Sequence, residues 1–537
     1  MKINMKKITN LLRMYGGYLL LSSIVLVVSC TSEFDDINTN KNALSKLEVS
    51  QLPFLFSKAQ STATNNGWNY QIAQNLFHDQ YCQYFANTTT YFPSDRLVIR
   101  MDWIRAAWNP IYSEVVPQLQ TLLQEYDPAS AEYAIAQVWW VYTFHRLTDT
   151  WGPVPYFNAG VSGESVPYDA QDVIYDDMFK RLAAAITVLN GKKTEQPYGT
   201  FDLIYGGDVN KWIRFANTLR LRLAIRISKA DATRAKTEGE AAVAGANGGV
   251  LADSPGDDAL IFRTLKGDDF NGLTVMDWNE FRMSSTMESV LKGYNDPRMA
   301  EYFSPAAGTG SYDGLRNGLP AGDMALPLNS AANNSNKGPR WNKELAGTME
   351  TPSNVMATAE AWFLRAEGVL LGWNMGGGTA EQYYNQGITE SMNQWGITDA
   401  TAINNYINSL ATPIAPGDAQ NSPAVSTAPI KYRVAGTLSE QREQITIQKW
   451  LSLFPEGVEA WADIRRSGAF KLYPVVQSDN TDLPTASNIN VPTNNWIRRI
   501  PFITDEKVTN GAEVTKAVPL LGGSGDKIST PLWWDKN

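Results

Sequence analysis

A chain of 537 residues that is 43% hydrophobic and 19% charged has the composition of a folded protein. Its net charge of −9 and pI near 5.1 exclude a nucleic-acid footprint, which needs Lys and Arg clustered on one face. Its two cysteines and two histidines do not fall in the close pairs that a four-ligand structural zinc site needs. They leave His78 and His145 as the only imidazoles for a nucleophilic triad, and both lie in aromatic, helix-like stretches that read as packed or hydrogen-bonded positions.

The chain opens with Lys2, Lys6, Lys7 and Arg13, followed by an apolar run over 18–28 (YLLLSSIVLVV). A membrane-spanning helix needs about 20 apolar residues, so this shorter run has the length of a secretory signal core. It ends Val27-Val28-Ser29-Cys30, a small residue directly before a cysteine, which resembles a bacterial lipobox. The resemblance implies cleavage before Cys30 and a lipid on Cys30, with 1–29 as signal peptide and 30–49 as tether. Glu33, Asp35 and Asp36 resemble the surface-export signal of some Gram-negative lipoproteins; a simple solvated tether is the alternative. Cys82 would then be the one other thiol, leaving a body stabilised by its core rather than by disulfides. No later segment is long and apolar enough to span a bilayer.

Apolar residues at three- and four-residue spacing predict helices over 50–64, 72–85, 129–147, 170–189, 209–229, 356–371, 380–395 and 438–454. Asp127-Pro128 is a helix start and Gly191 a helix stop. Residues 103–125 carry a helical pattern that Pro110 and Pro117 should break or kink. Within 209–229, Arg214, Arg220, Arg222 and Arg226 stand among large apolar residues. The expectation is a helix packed on one face, its arginine stems covering apolar surface. In 356–396, small residues such as Ala357, Ala361 and Gly368 interleave with Trp362 and Leu364, and a glycine turn at 376–378 divides two helices. That pair resembles a tetratricopeptide unit. Residues 230–355, 411–436 and 474–537 are rich in Gly, Asn, Asp and Pro and read as long loop regions on a helical frame. Without a Pro- or Ser-rich linker, 50–537 reads as a single body.

Several stretches, in order, resemble the SusD/RagB family of nutrient-binding lipoproteins: DTWGPVPYF (149–157), VNKWIRFANTLRLRLAIRIS (209–228), MATAEAWFLRAEGVL (356–370), ITIQKWLSLFPEGVEAWADIRRSG (445–468), RRIPF (498–502) and TPLWWDK (530–536). The resemblance runs from Cys30 nearly to Asn537. It implies a mainly α fold, with tetratricopeptide-like helical pairs forming a superhelical frame around a loop-rich ligand-binding portion. It implies anchoring at the outer membrane, facing the exterior, and a SusC-like TonB-dependent transporter as partner. It also implies an oligosaccharide or, in some members, a peptide as ligand, with no cofactor, metal or catalysis. Trp461 and Arg465, four apart on a helix, are expected to stack as scaffold.

A sugar offers an apolar C–H face and a rim of hydroxyls, so its site needs flat aromatic rings beside Asn, Asp, Arg or backbone groups. The loop segment 65–70 (NNGWNY) is the best candidate and supplies Trp68, Asn69 and Tyr70. Tyr91, Trp278, Tyr312, Arg316 and Trp341 follow, all in loop-rich surroundings. If 72–85 is one helix, the loops before and after it open at opposite ends, and both reach one ligand only if 88–92 folds back. The alternatives are the same fold capturing oligopeptides, a surface glycoside hydrolase with two carboxylates across the scissile bond, and a purely structural surface protein. Pairs such as Asp257-Asp258 and Asp268-Asp269 are too common to decide on a bound cation.

Overall fold

Hydrophobic periodicity places most helices close to their observed bounds. The computed structural model describes residues 48–161, 165–275, 280–342, 345–482, 489–491 and 497–537. Its main helices are α1 (Leu52–Thr62), α2 (Val116–Glu125), α3 (Ala131–Trp151), α4 (Gln171–Asn190), α5 (Val209–Arg226), α6 (Ala232–Val243), α7 (Ser285–Gly293), α8 (Thr358–Leu370), α9 (Ala380–Gln394), α10 (Ala400–Ile407), α11 (Leu438–Leu453) and α12 (Gly457–Ser467). Side-chain caps fix several starts: Ser130 accepts from the Tyr133 N–H, Asp208 from Asn210 and Lys211, and Thr379 and Thr437 form capping boxes with Gln382 and Glu440. Consecutive helices pack as pairs, α3 with α4, α5 with α6, α8 with α9 and α11 with α12, and the pairs join through α4–α5, α5–α8 and α8–α11. This is the expected mainly α frame of helical pairs. Residues 53–537 form one unit and residues 1–52 another; residues 1–47, which hold the expected signal peptide, the expected lipidation site Cys30 and most of the expected tether, lie outside the described residues.

The connecting segments are fastened by short antiparallel ladders. Among the described residues β1 (Phe85–Asn87) pairs with β3 (Phe281–Met283), β2 (Ala259–Ile261) with β6 (Ser353–Met356), β4 (Phe303–Ser304) with β5 (Asn336–Lys337), and β7 (Val475–Gln477) with β8 (Ile489–Val491). Three of these ladders lie wholly or partly in 230–355, which is therefore not loop alone. It also holds α6, capped by Asp231 on the Arg234 N–H, and α7, capped by Ser284 on the Met287 N–H.

Two further expectations change. The segment 72–85 is not one helix. A π-helical turn (Gln71–Asn75) is broken at Phe77, whose φ of −126° and ψ of −87° are not helical, and a short helix (His78–Tyr81) leads to β1. Ala73, Leu76, Phe77 and Tyr81 are all buried, as are Gln74, His78, Asp79 and Gln80 between them. The segment is packed on every side, so side-chain hydrogen bonds outweigh a continuous helix: Asp79 accepts from Tyr70 and Gln74, and Gln80 donates to Asn87. The 103–125 pattern does break at its prolines; α2 begins with Pro117 in its first turn, after shorter turns over 101–115.

The arginines of α5 do more than cover apolar surface. Arg222 binds both carboxylate oxygens of Glu360 on α8 at 2.7 and 2.6 Å. Arg226 reaches Glu459 on α12 at 2.5 and 2.6 Å and Asp149 on α3 at 3.2 Å. A second cluster joins Lys449 on α11 and Arg466 on α12 to Glu367 on α8 and Asp463 on α12, at 2.6 to 2.9 Å. Burial acts to raise the Asp463 carboxyl, but Lys449 and Arg466 hold it well below the usual carboxylate range. Arg465 stacks 3.5 Å from the Trp461 ring centroid, as its helical spacing predicts. Both histidines are buried and hydrogen-bonded, His78 to Thr150 and His145 to the Tyr142 carbonyl. Burial lowers the pKa of each, that of His78 to about 3.

Removing one member of a buried pair strands the other without solvent, which costs about 3–5 kcal/mol. Arg222→Ala is therefore expected to destabilise the protein by that amount, and Lys180→Ala, an exposed i,i+4 partner of Asp176, by about 0.5 kcal/mol or less. Urea unfolding of the two variants checks the contrast.

Candidate functional site

Where the broken 71–81 segment meets the α11–α12 turn, the frame leaves a cavity of about 120 Å³. Its walls come from far apart in the chain: Thr64 and Asn65 after α1, Tyr70 and Gln74, Leu260 of β2, 271–273, Arg340 and Trp341, 351–354 running into β6, Gln394 and Trp395 at the end of α9, and Pro455 and Glu456 between α11 and α12. Tyr70, Gln74, Leu273, Trp341, Trp395 and Glu456 are buried, whereas Asn65, Ser353, Asn354 and Gln394 are half-buried and Arg340 is exposed. The buried part of the lining is thus largely aromatic, and the partly exposed part is mostly polar, with Leu260, Pro352 and Pro455 among it.

The inner end is rigid. Trp341 and Trp395 meet edge to face, with centroids 5.4 Å apart and planes at 66°. Phe454 packs 5.6 Å from Trp341 and 6.4 Å from Trp395, and Tyr302 packs 4.8 Å from Trp395. Tyr70 is fixed by its hydroxyl, which donates to Asp79 Oδ2 at 2.6 Å. Gln74 donates to Asp79 Oδ1 at 3.1 Å and to the Pro455 carbonyl at 3.3 Å. Burial raises the Asp79 carboxyl to about 7, against the lowering pull of the Tyr70 and Gln74 hydrogen bonds. Glu456 accepts from Arg146 of α3 at 2.7 Å and from the Val458 N–H at 3.2 Å, so the carboxylate that lines the cavity is already neutralised. Arg340, at the mouth, donates to the Trp395 carbonyl at 2.8 Å, and its guanidinium lies 4.9 Å from the Trp395 ring centroid.

The 65–70 loop and 270–273 close against each other beside this cavity. The Gly67 N–H donates to the Phe270 carbonyl at 2.8 Å. A Cβ on Gly272 would stand 2.3 Å from both the Gly67 carbonyl oxygen and Tyr70 Cβ, so only glycine permits the approach. Gly67 itself has φ +57° and touches the Asp268 carbonyl in the same way. Trp68, 51% exposed, stands on this turn with its ring 5.0 Å from Phe270 in edge contact. Asn271, next in the chain, lines the cavity and donates to the Thr351 and Pro352 carbonyls.

The residues singled out from sequence divide accordingly. Tyr70 and Trp341 line the cavity, and Trp68 and Asn69 stand on the turn beside it. Tyr91, 68% exposed, belongs to a separate aromatic surface with Phe92 and Trp103, their rings 5.0 and 6.0 Å away, and Arg100 lies 4.4 Å from the Trp103 ring centroid. The two regions approach through Glu280, whose carboxylate accepts from Gln71 and whose carbonyl accepts from the Thr88 N–H. The break in 72–85 thus removes the expectation that they open at opposite ends. Arg316 is scaffold: it is buried, donates to Ser422 and the Pro474 carbonyl, and stacks 4.7 Å from the Tyr473 ring centroid. Tyr312 is half-buried in the loop whose Asp313 binds Lys292, apart from the cavity. Trp278 lies outside the described residues. Sequence reasoning missed Trp395, Gln74, Asn354 and Gln394. Trp395 ends a helix and Gln74 lies within a predicted one, so a search confined to loops passed over both. Among the described residues no cluster of His, Cys, Asp and Glu is placed to hold a metal, and no helix is long and apolar enough to cross a membrane.

Residues 35–535 match the sequence profile of the family described as SusD-like, the Susd and RagB outer membrane lipoproteins. Solved structures are similar over nearly the whole chain. A chitin-binding SusD homolog from Flavobacterium johnsoniae is 33% identical, with 91% of this chain and 99% of that one covered and a TM-score of 0.81. SusD-like proteins from Bacteroides thetaiotaomicron and Bacteroides vulgatus are each 30% identical, with TM-scores of 0.80, over 90% and 91% of this chain and 99% and 98% of theirs. No curated protein is significantly similar.

The raised Asp79 carboxyl has a consequence for stability. Between the ordinary carboxylate range near 4 and about 7 the folded state holds a proton that the unfolded chain releases. Stability from this group is complete below that window and is lost as pH rises through it. Asp79→Asn should therefore gain on wild type by roughly 1–3 kcal/mol between pH 5 and pH 8, measured by urea unfolding at both values.

Proposed function

The chain belongs to the SusD-like family of outer-membrane lipoproteins, and we propose that it captures oligosaccharides at the cell surface and passes them to a SusC-like TonB-dependent transporter. In this reading residues 1–29 are the signal peptide, Cys30 carries the lipid, 30–49 form the tether, and the body from residue 50 faces the exterior. The observation that carries the reading is the cavity itself. Two indoles and a tyrosine meet uncharged hydrogen-bonding side chains from Asn65, Gln74, Asn271, Asn354 and Gln394, with the exposed ring of Trp68 beside them. Flat rings for a C–H face and amides for hydroxyls are what a neutral sugar requires. The similarity to a chitin-binding homolog favours a glycan over a peptide.

No catalytic step is assigned. Glycoside hydrolysis needs two carboxylates across the scissile bond. Among the described residues lining the cavity Glu456 is the single carboxylate, and it is held by Arg146. Tyr91 and Trp103 offer a second aromatic surface along which a longer chain could lie.

The reading is tested by titrating the purified, detergent-solubilised lipoprotein with oligosaccharides and peptides, following heat and tryptophan fluorescence. A glycan that binds without turnover supports it; binding of peptides alone overturns the ligand class, and slow cleavage overturns the absence of catalysis. Trp68→Ala is expected to weaken glycan binding by about 1–3 kcal/mol while the melting temperature stays within a few degrees. Cys30→Ala should abolish incorporation of labelled palmitate and release the protein from the membrane fraction.

A further inference from the structure

We infer that this protein has a second contact site for a neutral glycan, a groove between α8, α9 and α10 that shares no lining residue with the cavity at Trp341 and Trp395; the inference rests on the glycan-capture reading. α9 uses two faces. On one, Tyr384, Gly387, Ile388 and Ser391 are buried, and a Cβ on Gly387 would stand 2.8 Å from the Phe363 ring of α8. On the other, Gln382, Asn385, Gln386 and Thr389 recur at the helical spacing of three and four, half-buried or exposed. Opposite them α10 brings Asn404 and Asn408, one turn apart and both exposed. The groove between the two stripes has a volume of about 480 Å³, with Trp362 of α8 and Tyr383 of α9 also lining it.

The chemistry of this lining is that of a sugar site. Among the described residues that form it none is charged. A solvated helix face ordinarily carries charges; here carboxamides stand in their place, and each both donates and accepts, as a hydroxyl does. The nearest charges are already engaged. Arg365 lies 4.5 Å from the Trp362 ring centroid and 4.0 Å from that of Tyr383, and donates to the Met375 carbonyl. Glu390 is buried and accepts from Gln386 and from the Ser254 N–H. Trp362 supplies the flat ring. It is half-buried, and its indole N–H donates to the Ala252 carbonyl at 3.0 Å, so the ring is held before a ligand arrives. The Tyr383 ring lies 5.8 Å away, tilted by 39°. An extended peptide is gripped through main-chain bonds to a strand edge, which a groove walled by three helices does not offer.

The test separates the two sites. The solubilised lipoprotein is titrated by calorimetry with neutral chito-, cello- and malto-oligosaccharides, and hydrogen exchange is followed in each complex that forms. The expected result is slowed exchange over α9 and α10 as well as around the cavity. Trp362→Ala, and the double variant Asn404→Ala with Asn408→Ala at exposed positions, should each weaken glycan binding at least fivefold and remove the protection of α9 and α10, while Trp68→Ala leaves that protection in place. Affinity and exchange that neither groove variant changes overturn the second site and leave glycan capture at the cavity intact. Protection of the groove by a peptide and by no glycan overturns its ligand class. Should Trp362→Ala fail to fold, the double variant decides. Failure of every glycan to bind overturns the capture reading and this inference with it.

Discussion

The structure depends on two clusters of buried ion pairs inside the helical frame. In the first, Arg222 of α5 binds Glu360 of α8 and Arg226 binds Asp149 of α3 and Glu459 of α12; in the second, Lys449 of α11 and Arg466 of α12 bind Glu367 of α8 and Asp463 of α12, all at 2.5 to 3.2 Å. Charges taken out of water are tolerated only when their partners are in place. Each helix is therefore held in one register against the next, because a slip of one turn would leave several charges unmatched. The C-terminal segment is tied to the first cluster: Trp534 donates to Asp149, which also accepts from Tyr175 of α4.

The cavity inherits its shape from this frame. Arg146 lies one turn before Asp149 on α3, and its bond to Glu456 fixes the α11–α12 turn at the base of the cavity. The same turn offers the Pro455 carbonyl to Gln74, and so positions the segment bearing Tyr70. The end of α9 delivers Trp395 onto Phe454 at the end of α11. The aromatic inner end therefore joins Trp395 and Phe454 of the frame to Trp341 of a connecting segment, while most of the rim comes from segments fastened by β2–β6 and by the Gly67–Phe270 contact. A rigid interior with a rim of loop side chains allows the ligand to change with the loops while the frame stays constant.

Much of the fold is legible in the sequence, and the failures have identifiable causes. Helices with one apolar face, such as α4 and α9, fall close to their predicted bounds because a period of 3.6 marks a surface helix unambiguously. The segment 72–85 misleads because nearly all its side chains are buried, so apolar spacing no longer reports a single face. The arginines of α5 mislead for a related reason. A basic residue among leucines is equally consistent with a stem lying over apolar surface and with a buried pair, and only the position of Glu360 and Glu459 distinguishes them.

The order of residues along the chain determined the helices and the family pattern, because each rests on local spacing or a contiguous motif. It also determined that Trp68, Tyr70 and Trp341 deserved attention, since aromatic residues in polar loops are costly unless packed or used. Tertiary structure alone decided which of them meet. The cavity draws its walls from segments between Thr64 and Glu456, and no local rule connects positions so far apart. It separated Tyr91 from Tyr70, placed Arg316 in the scaffold, and added Trp395 from a helix end. Convergence of side chains depends on how paired helices register, and that register is set by long-range charge pairs whose partners cannot be assigned from sequence spacing.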